Sequence, residues 1–202
     1  MTTTTRAERT VAALSKALFD FLAEHNLSEL NVSELCRMAG IHRTTFYGHY
    51  QGIEEFAAAV YAQTLDRLVG DTFGSRPGNS TVDSVSADCL EAQLRIQKRI
   101  LEDRAVYRSL FTAGGTGAFR HAVEENARHR TRACFAALHE FGVAEADPDG
   151  PGVAFVAAGF AAWLENWALS DSEDVEGWAH DLFQYLPVWW PAPEEPGTVP
   201  QV

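Results

Sequence analysis

The stretch that decides the fold is NVSELCRMAGIHRTTFYGHY, residues 31–50. Asn31 is a favoured helix N-cap, and Glu34 follows three residues later, where it can complete a capping box. Gly40 comes where the chain must reverse in a conformation that is costly for a residue with a Cβ. A second short helix is expected over 42–50. The stretch therefore predicts two short helices joined by a tight turn.

Apolar side chains give these two helices a shared core. Leu35 and Met38 are expected on the inner face of the first helix, and Ile41 can fill the space between the helices after the turn. Two short helices at a steep angle can place the second in the major groove of DNA while the first braces it. The spacing favours a helix-turn-helix that reads DNA, but a small helical hairpin without DNA function would show the same spacing.

The second helix carries residue types that suit DNA contacts. Arg43 can donate two hydrogen bonds to guanine, and the methyl groups of Thr44 and Thr45 can contact thymine. Tyr47 and His49 fall where a side chain can bond a phosphate oxygen and fix the register. The first turn of this helix is therefore the expected base-reading surface.

The same stretch resembles the DNA-binding signature of tetracycline-repressor (TetR) type regulators. The Ala-Gly-Ile turn, the Thr-Phe-Tyr core and the closing His-Tyr match in order and spacing, and the similarity covers about residues 6–60. The resemblance implies a homodimer that binds a double-stranded DNA operator and responds to an unknown small-molecule effector. Motif and resemblance together predict DNA contacts from Asn31, Ser33, His42, Arg43, Thr44, Thr45, Tyr47, Gly48 and His49.

Two positions depart from the family's pattern. Ile53 stands at the start of the fourth helix, where members usually have a lysine that donates to a phosphate. Asn31 stands where a threonine is usual, and it caps a helix equally well. One basic anchor is therefore missing, and binding is expected to depend more on the remaining contacts, with a shallow salt dependence.

The charge balance is acidic, with a formal net charge of -12. Phosphate binding normally leaves a basic footprint, which makes this balance unexpected. However, residues 1–51 carry equal numbers of acidic and basic side chains, and no Lys or Arg follows Arg132. The acidic excess therefore belongs to the distal part of the chain, where it is read as a solvated surface that aids solubility.

Apolar residues recur at helical spacing along the rest of the chain, and no segment predicts a strand convincingly. The expected fold class is all-α with about nine helices. A Gly/Pro/Ser loop is expected over 74–79, and Gly114–Gly115 should break a helix. The prolines that begin at Pro187 predict an extended end. The expected division is a three-helix DNA-binding domain at 1–51, a helical ligand-binding and dimerisation domain at 52–190 and a Pro-rich tail at 191–202.

The last two helices carry more apolar surface than two helices of one chain need, which indicates an interface. The resemblance implies dimerisation through these helices as a four-helix bundle, although their apolar surface could also be core within one chain. The expected interface residues are Phe160, Trp163, Val175, Trp178, Leu182, Phe183 and Leu186. Aromatic residues that could line a ligand pocket are Tyr107, Phe111, Phe119, Trp163 and Trp167. Such aromatic residues are more often packing than ligand site.

Other chemistry is not expected. His121, Glu125 and His129 share a helix face, but no further strong ligand completes a metal site, so no metal and no cofactor are predicted. Cys36, Cys89 and Cys134 are read as buried thiols. No catalytic arrangement or phosphate-binding loop appears, so the chain is not expected to be an enzyme.

No apolar run approaches about 18 residues, and no signal-peptide pattern is visible, so a cytoplasmic protein without membrane association is expected. A ligand-responsive repressor is the leading interpretation. The alternative is a helical protein-interaction module whose helix-turn-helix is degenerate, and Ile53 is its support.

Overall fold

The computed structural model describes residues 5–70, 81–112 and 117–191. Over those ranges it contains nine α-helices, one 3-10 helix and no strand, which confirms the all-α class. The helices are α1 (Arg6–Leu22), α2 (Val32–Ala39), α3 (Arg43–Tyr47), α4 (Ile53–Val69), α5 (Val82–Glu102), α6 (Arg104–Thr112), α7 (Ala118–Glu140), α8 (Pro151–Leu169) and α9 (Val175–Phe183), with the 3-10 helix at Leu27–Glu29. The predicted loop at 74–79, the break at Gly114–Gly115 and residues 192–202 of the tail predicted at 191–202 lie outside the described residues.

The described helices pack into two compact units. The first unit holds the described residues within Met1–Thr64 and Asp103–Ala122, and the second holds those within Leu65–Glu102 and Val123–Val202. Both α4 and α7 contribute residues to the two units. Packing units and functional domains need not coincide, so the predicted functional boundary near residue 52 stays a prediction.

The core of the first unit forms around α1. Thr5 caps this helix through a reciprocal pair of hydrogen bonds with Glu8, in which the Thr5 hydroxyl accepts from the Glu8 amide at 3.2 Å. Leu14 and Leu18, one helical turn apart, are fully buried and form an apolar stripe on this helix. The fixed start of α1 and its buried stripe give α2 a stable surface to pack against.

The core of the second unit is built on α8. Seven residues of this helix are buried, among them Trp167, whose indole N–H donates to the backbone oxygen of Gln97 at 3.0 Å. Among the described helices, α8 alone is long and apolar enough to cross a membrane by length and composition. This property was not predicted from the sequence, because glycine and alanine make up much of the helix. Packing of the seven buried residues accounts for part of the apolar character, while Phe155 and Leu169 of the same helix are exposed.

Several predicted boundaries and one core position are corrected. The second helix of the motif ends at Tyr47 instead of residue 50, because Gly48, a poor helix former, takes the C-cap position. The last helix ends at Phe183, short of the apolar pattern that extends to Leu186, because Pro187 has no N–H to donate to the Phe183 oxygen and its ring would clash with that carbonyl. Met38 is 37% exposed and does not belong to the core, because Leu35 and Cys36 together form the buried face of α2.

The prediction of an extended end from Pro187 is wrong for Trp190 and Pro191. Trp190 is buried and its ring lies 5.9 Å from that of Phe135. The Ser86 hydroxyl donates to the backbone oxygen of Pro191 at 2.6 Å. Aromatic burial therefore holds this segment in the second unit, which the proline content concealed.

Candidate nucleic-acid interface

The N-terminus of α2 is capped as predicted. The side-chain oxygen of Asn31 accepts from the amide of Glu34 at 3.0 Å. The Glu34 carboxylate does not complete a capping box, because it accepts two hydrogen bonds from the Arg37 guanidinium, at 2.6 and 3.0 Å. The hydrogen bond from Arg37 also lowers the pKa of Glu34. The positive charge of Arg37 is therefore partly neutralised within α2.

Gly40 forms the turn between the two helices. Its φ of +67° lies in the left-handed region, and among the described residues positive φ occurs at glycines alone. A Cβ at this position would meet nothing within 4 Å, so the requirement for glycine comes from the backbone conformation and not from crowding. The amide of Ile41 then donates to the Cys36 oxygen at 2.9 Å, which closes the end of α2.

Helix α3 is anchored by one aromatic side chain. Phe46 is fully buried, and its ring lies 5.7 Å from the rings of both Tyr50 and Phe56. Tyr50 and Phe56 themselves pack edge to face at 4.9 Å. Edge-to-face packing of this kind fixes the orientation of the rings. The buried side of α3 is thus held rigidly, which determines the side that faces outward.

The outward side carries the predicted DNA-contacting residues. Arg43, Thr44 and Thr45 are exposed, and Tyr47 leaves 58% of its surface in solvent although its ring is large and apolar. The structure also joins α2 and α3, because the Arg43 guanidinium donates to the Ser33 hydroxyl at 3.2 Å. The remaining predicted residues, Asn31, His42, Gly48 and His49, are exposed as well. All nine residues predicted to contact DNA are therefore exposed at the surface.

The electrostatics next to this surface include two acids that the sequence analysis missed. Glu54 and Glu55 follow Ile53 in the first turn of α4, and both are exposed. Glu55 accepts from the amide of Gln51 at 2.7 Å, and acidic side chains are favoured at a helix N-terminus by the helix dipole. Burial, followed by the charge of Glu55, raises the pKa of the Tyr50 hydroxyl. In the sequence, the signal for Glu54 and Glu55 was their position directly after the motif. Their negative charges oppose phosphate binding at this end of α4.

The five aromatic residues predicted for a ligand pocket pack against other aromatic residues. In the first unit, the Phe119 ring lies 6.0 Å from Tyr107 and 4.8 Å from Phe111. In the second unit, Trp163 and Trp167 lie 5.0 and 5.3 Å from Trp178. None of the five lines the cavity that the second unit contains, which is partly open to solvent and whose empty space, counted into the open solvent at its mouth, is about 470 Å³. Their role in ligand binding stays a prediction.

The predicted dimer interface is only partly accessible in one chain. Val175 and Leu182 are buried within their own chain, where they contribute to the core. The other predicted members, Phe160, Trp163, Trp178, Phe183 and Leu186, are half-buried. Phe155 on α8 is 75% exposed and Tyr185 is 74% exposed, and neither was included in the predicted set. The signal for Phe155 was its spacing from Gly159 and Ala162, small residues on the same helix face.

The possible metal ligands do not form a site. Across the ranges that the structure describes, no group of three His, Cys, Asp or Glu side chains could hold a metal ion. His121, Glu125 and His129 are exposed. The thiols of Cys36, Cys89 and Cys134 are free, with Cys36 and Cys134 buried and Cys89 half-buried.

Three solved structures share this fold. The fatty acid degradation regulator FadR from Bacillus halodurans is 15% identical, with a TM-score of 0.56 over 87% of this chain and 93% of that chain. The TetR family repressor AlkX from Dietzia sp. strain DQ12-45-1b, implicated in n-alkane biodegradation, is 15% identical, with a TM-score of 0.51 over 86% and 91%. A protein named as a transcriptional regulator from Pseudomonas aeruginosa PAO1 is 18% identical, with a TM-score of 0.54 over 87% and 90%.

No protein-family model and no curated protein sequence matches the chain. At these low identities, the likeness to the solved structures establishes the fold alone.

Proposed function

We propose that this chain, which has the fold of TetR-type regulators, is a DNA-binding transcriptional repressor that a small-molecule effector releases from its operator. The observation that carries the proposal is the exposed side of α3, where Arg43, Thr44, Thr45 and Tyr47 stand free of the core. Because Phe46 anchors the opposite side, this surface is presented in one orientation. A short, rigidly held helix with Arg and Thr in its first turn suits major-groove readout.

A homodimer would place two recognition helices on a near-palindromic site. Helix-turn-helix dimers read half-sites about one helical turn apart, so dimerisation doubles the number of contacts and fixes their spacing. The exposed Phe155 supports an interface on α8, since a large apolar side chain on a face of small residues allows close helix packing. The half-buried residues of α8 and α9 would complete the interface.

Effector release would act through α4. This helix begins directly after the motif with Ile53 and ends at Val69, which lines the cavity of the second unit. Asp66, one turn before that end, pairs with Arg130 at 2.9 Å, and Arg130 also lines the cavity. A ligand there could shift α4 and change the separation of the recognition helices. An effector that favours the non-binding state by about 4 kcal/mol lowers DNA affinity roughly a thousandfold.

The remaining parts of the proposal concern chemistry and location. The similar structures are named as regulators, which favours a protein that works without catalysis. A regulator that reads DNA works in the cytoplasm and needs no membrane partner. DNA, a second copy of the chain and the effector are the proposed partners.

Selection of bound sequences from a random pool of duplex DNA tests this function. We expect enrichment of a near-palindromic sequence, and Tyr47→Ala should weaken binding to it about tenfold across sequences because a register-fixing phosphate contact is lost. Arg95→Ala is the matched control for a lost surface side chain, since Arg95 lies on α5 and pairs with Glu91. A pool that stays unenriched would contradict DNA reading.

One observation favours a second function. The carboxylates of Glu54 and Glu55 occupy the turn that follows the motif, where a basic anchor would be expected. If the helix-turn-helix has lost DNA binding, the chain would serve as a protein-interaction module. In that case the selection yields no enriched sequence, and Tyr47→Ala leaves the background DNA binding unchanged.

A further inference from the structure

We propose that the cavity of the second unit binds a small monocarboxylate with an apolar body, whose carboxylate is held by Gln93 and Arg130; this assignment rests on the proposed effector function. The cavity lies among α5, α7 and α8, its lining also includes Val69 of α4 and Trp190, and it is partly open to solvent. Neither the similar structures nor the aromatic pattern of the sequence assigns a ligand to these residues.

Two buried donors at the cavity lack an acceptor. The side-chain nitrogen of Gln93 and the indole nitrogen of Trp190 have no hydrogen-bond partner within the described part of the chain. Gln93 is 5% exposed and Trp190 is 6% exposed. A buried donor without a partner is costly, so such groups call for an explanation. A ligand that carries acceptor oxygens would satisfy them.

Gln93 of α5 and Arg130 of α7 line the same cavity. The thiols of Cys89 and Cys134 lie 3.7 Å apart. Each cysteine is the end member of the group of residues that its helix contributes to the cavity lining. Cys89 is the first of its group along α5, whereas Cys134 is the last of its group along α7. Gln93 follows Cys89 by one helical turn on α5, and Arg130 precedes Cys134 by about one turn on α7. Both residues line the cavity that the two thiols also line.

Arg130 supplies positive charge to the same place. Its side chain is 16% exposed, and its Nη1 donates to Asp66 at 2.9 Å. A guanidinium has five N–H donors, so further donors remain for a ligand. Burial lowers the pKa of Arg130, and the charge of Asp66 partly offsets this effect. A second anion beside the guanidinium would stabilise its charged form further.

The rest of the lining determines the other half of the ligand. Ile96, Ala127, Phe160 and Leu164 are apolar, and none of the described residues that line the cavity is acidic. An ammonium group would find no charged acceptor there, while a carboxylate would find donors. The lining thus selects an amphiphile with one anionic end, and not a cation or a sugar with many hydroxyl groups.

Isothermal titration calorimetry of the DNA-free full chain with octanoate, 1-octanol and octylamine tests the proposal. The three probes share one apolar body and differ in their head group. We expect octanoate to bind at least about tenfold more tightly than the other two, because one charge-assisted hydrogen bond contributes about that factor. Equal binding of octanol, tighter binding of octylamine, or no heat from any probe would overturn the assignment.

A negative charge introduced at the Gln93 donor provides a second test. Gln93→Glu should lower octanoate affinity at least about tenfold, because a carboxylate would then face the ligand's own carboxylate. The matched control is Gln63→Glu, the same change at an exposed position of α4, which should leave the affinity unchanged. Gln93→Leu removes the donor without adding charge and replaces Gln93→Glu if that variant melts early. Unaltered affinity in a folded Gln93 variant would refute the role of this residue.

The calorimetry and the DNA selection fail independently. Absence of octanoate binding contradicts the cavity assignment even if the chain enriches an operator. Octanoate binding without release of DNA supports the cavity assignment and contradicts the effector step of the proposed function. Release of DNA by octanoate in the parent, but not in Gln93→Glu, supports both.

Discussion

Restoring the missing basic anchor offers a quantitative test of how this surface binds DNA. Ile53 is the half-buried first residue of α4, directly after the helix-turn-helix. The family resemblance implies a phosphate contact from a lysine at this position. Ile53→Lys therefore adds one cation per protomer, and two per DNA-bound dimer, at the edge of the proposed interface.

The expected change follows from the release of counterions. Each neutralised phosphate contributes about -0.9 to the slope of log affinity against log salt concentration, so two new contacts steepen the slope by at most about 1.8. Glu54 and Glu55 lie beside the new lysine and reduce this gain. The charge of Arg37 is partly neutralised by Glu34, whereas Arg43 bonds only a neutral hydroxyl in Ser33. The parent slope should therefore be shallow, about -2 to -4.

Fluorescence anisotropy with a selected duplex, at 50 to 300 mM NaCl, measures both slopes. Gln63→Lys is the control, because it adds the same charge to α4 about 15 Å further along the helix, beyond the screening length of about 10 Å at 0.1 M salt. We expect Ile53→Lys to bind more tightly with a steeper slope, and the control to match the parent. A parent slope steeper than about -6, or equal gains in both variants, would refute the reasoning.

Three further predictions concern stability and assembly. Gly40→Ala should lower the free energy of unfolding in urea by about 1–2 kcal/mol, because alanine is strained at a φ of +67°; Gly40→Asn should lose less, and equal losses would contradict the backbone argument. Phe155→Glu should weaken the dimer at least about thirtyfold in analytical ultracentrifugation, whereas Phe141→Glu, at another exposed phenylalanine, should not; a dimer that tolerates both changes would rule out this face. The hydrogen bond with Cys134, and then burial, raise the pKa of the Cys89 thiol, so the stability from its neutral form is present below about pH 8.5 and is lost as the pH rises further. The difference in urea midpoint between the parent and Cys89→Ala should shrink from pH 8 to pH 10, and a constant difference would contradict this linkage.

Local signals in the sequence predicted the motif well. The cap at Asn31 and the turn at Gly40 depend on the chemistry of single residues, and the structure has both. Phe46 is buried while its neighbours on α3 are exposed. The motif predicted outward contacts from Arg43, Thr44, Thr45 and Tyr47, which are exposed, but the burial of Phe46 was not predicted. The predicted length of α3 was wrong. The helix ends at Tyr47 because Gly48 takes the C-cap position, although the apolar pattern extends to residue 50.

Long-range packing was beyond the sequence pattern. Trp190 packs against Phe135, although the prolines that begin at Pro187 predicted an extended segment. In the sequence Gln93 and Arg130 look like ordinary polar helix residues, and only the fold shows that both line one cavity. Helical periodicity assigns a residue to a face but does not identify which face of another helix it meets. For this reason the cavity was not predicted, and the aromatic residues chosen for it pack elsewhere.

The most direct test of DNA reading by α3 is to repeat the duplex selection with Arg43→Ala and compare its enriched sequence with that of the parent. If Arg43 contacts a base edge, the variant should lose its preference at one base pair in each half-site, equivalent to about 1–3 kcal/mol, while the other positions and the half-site spacing stay the same. An enriched sequence identical to that of the parent at every position would contradict base reading by this helix.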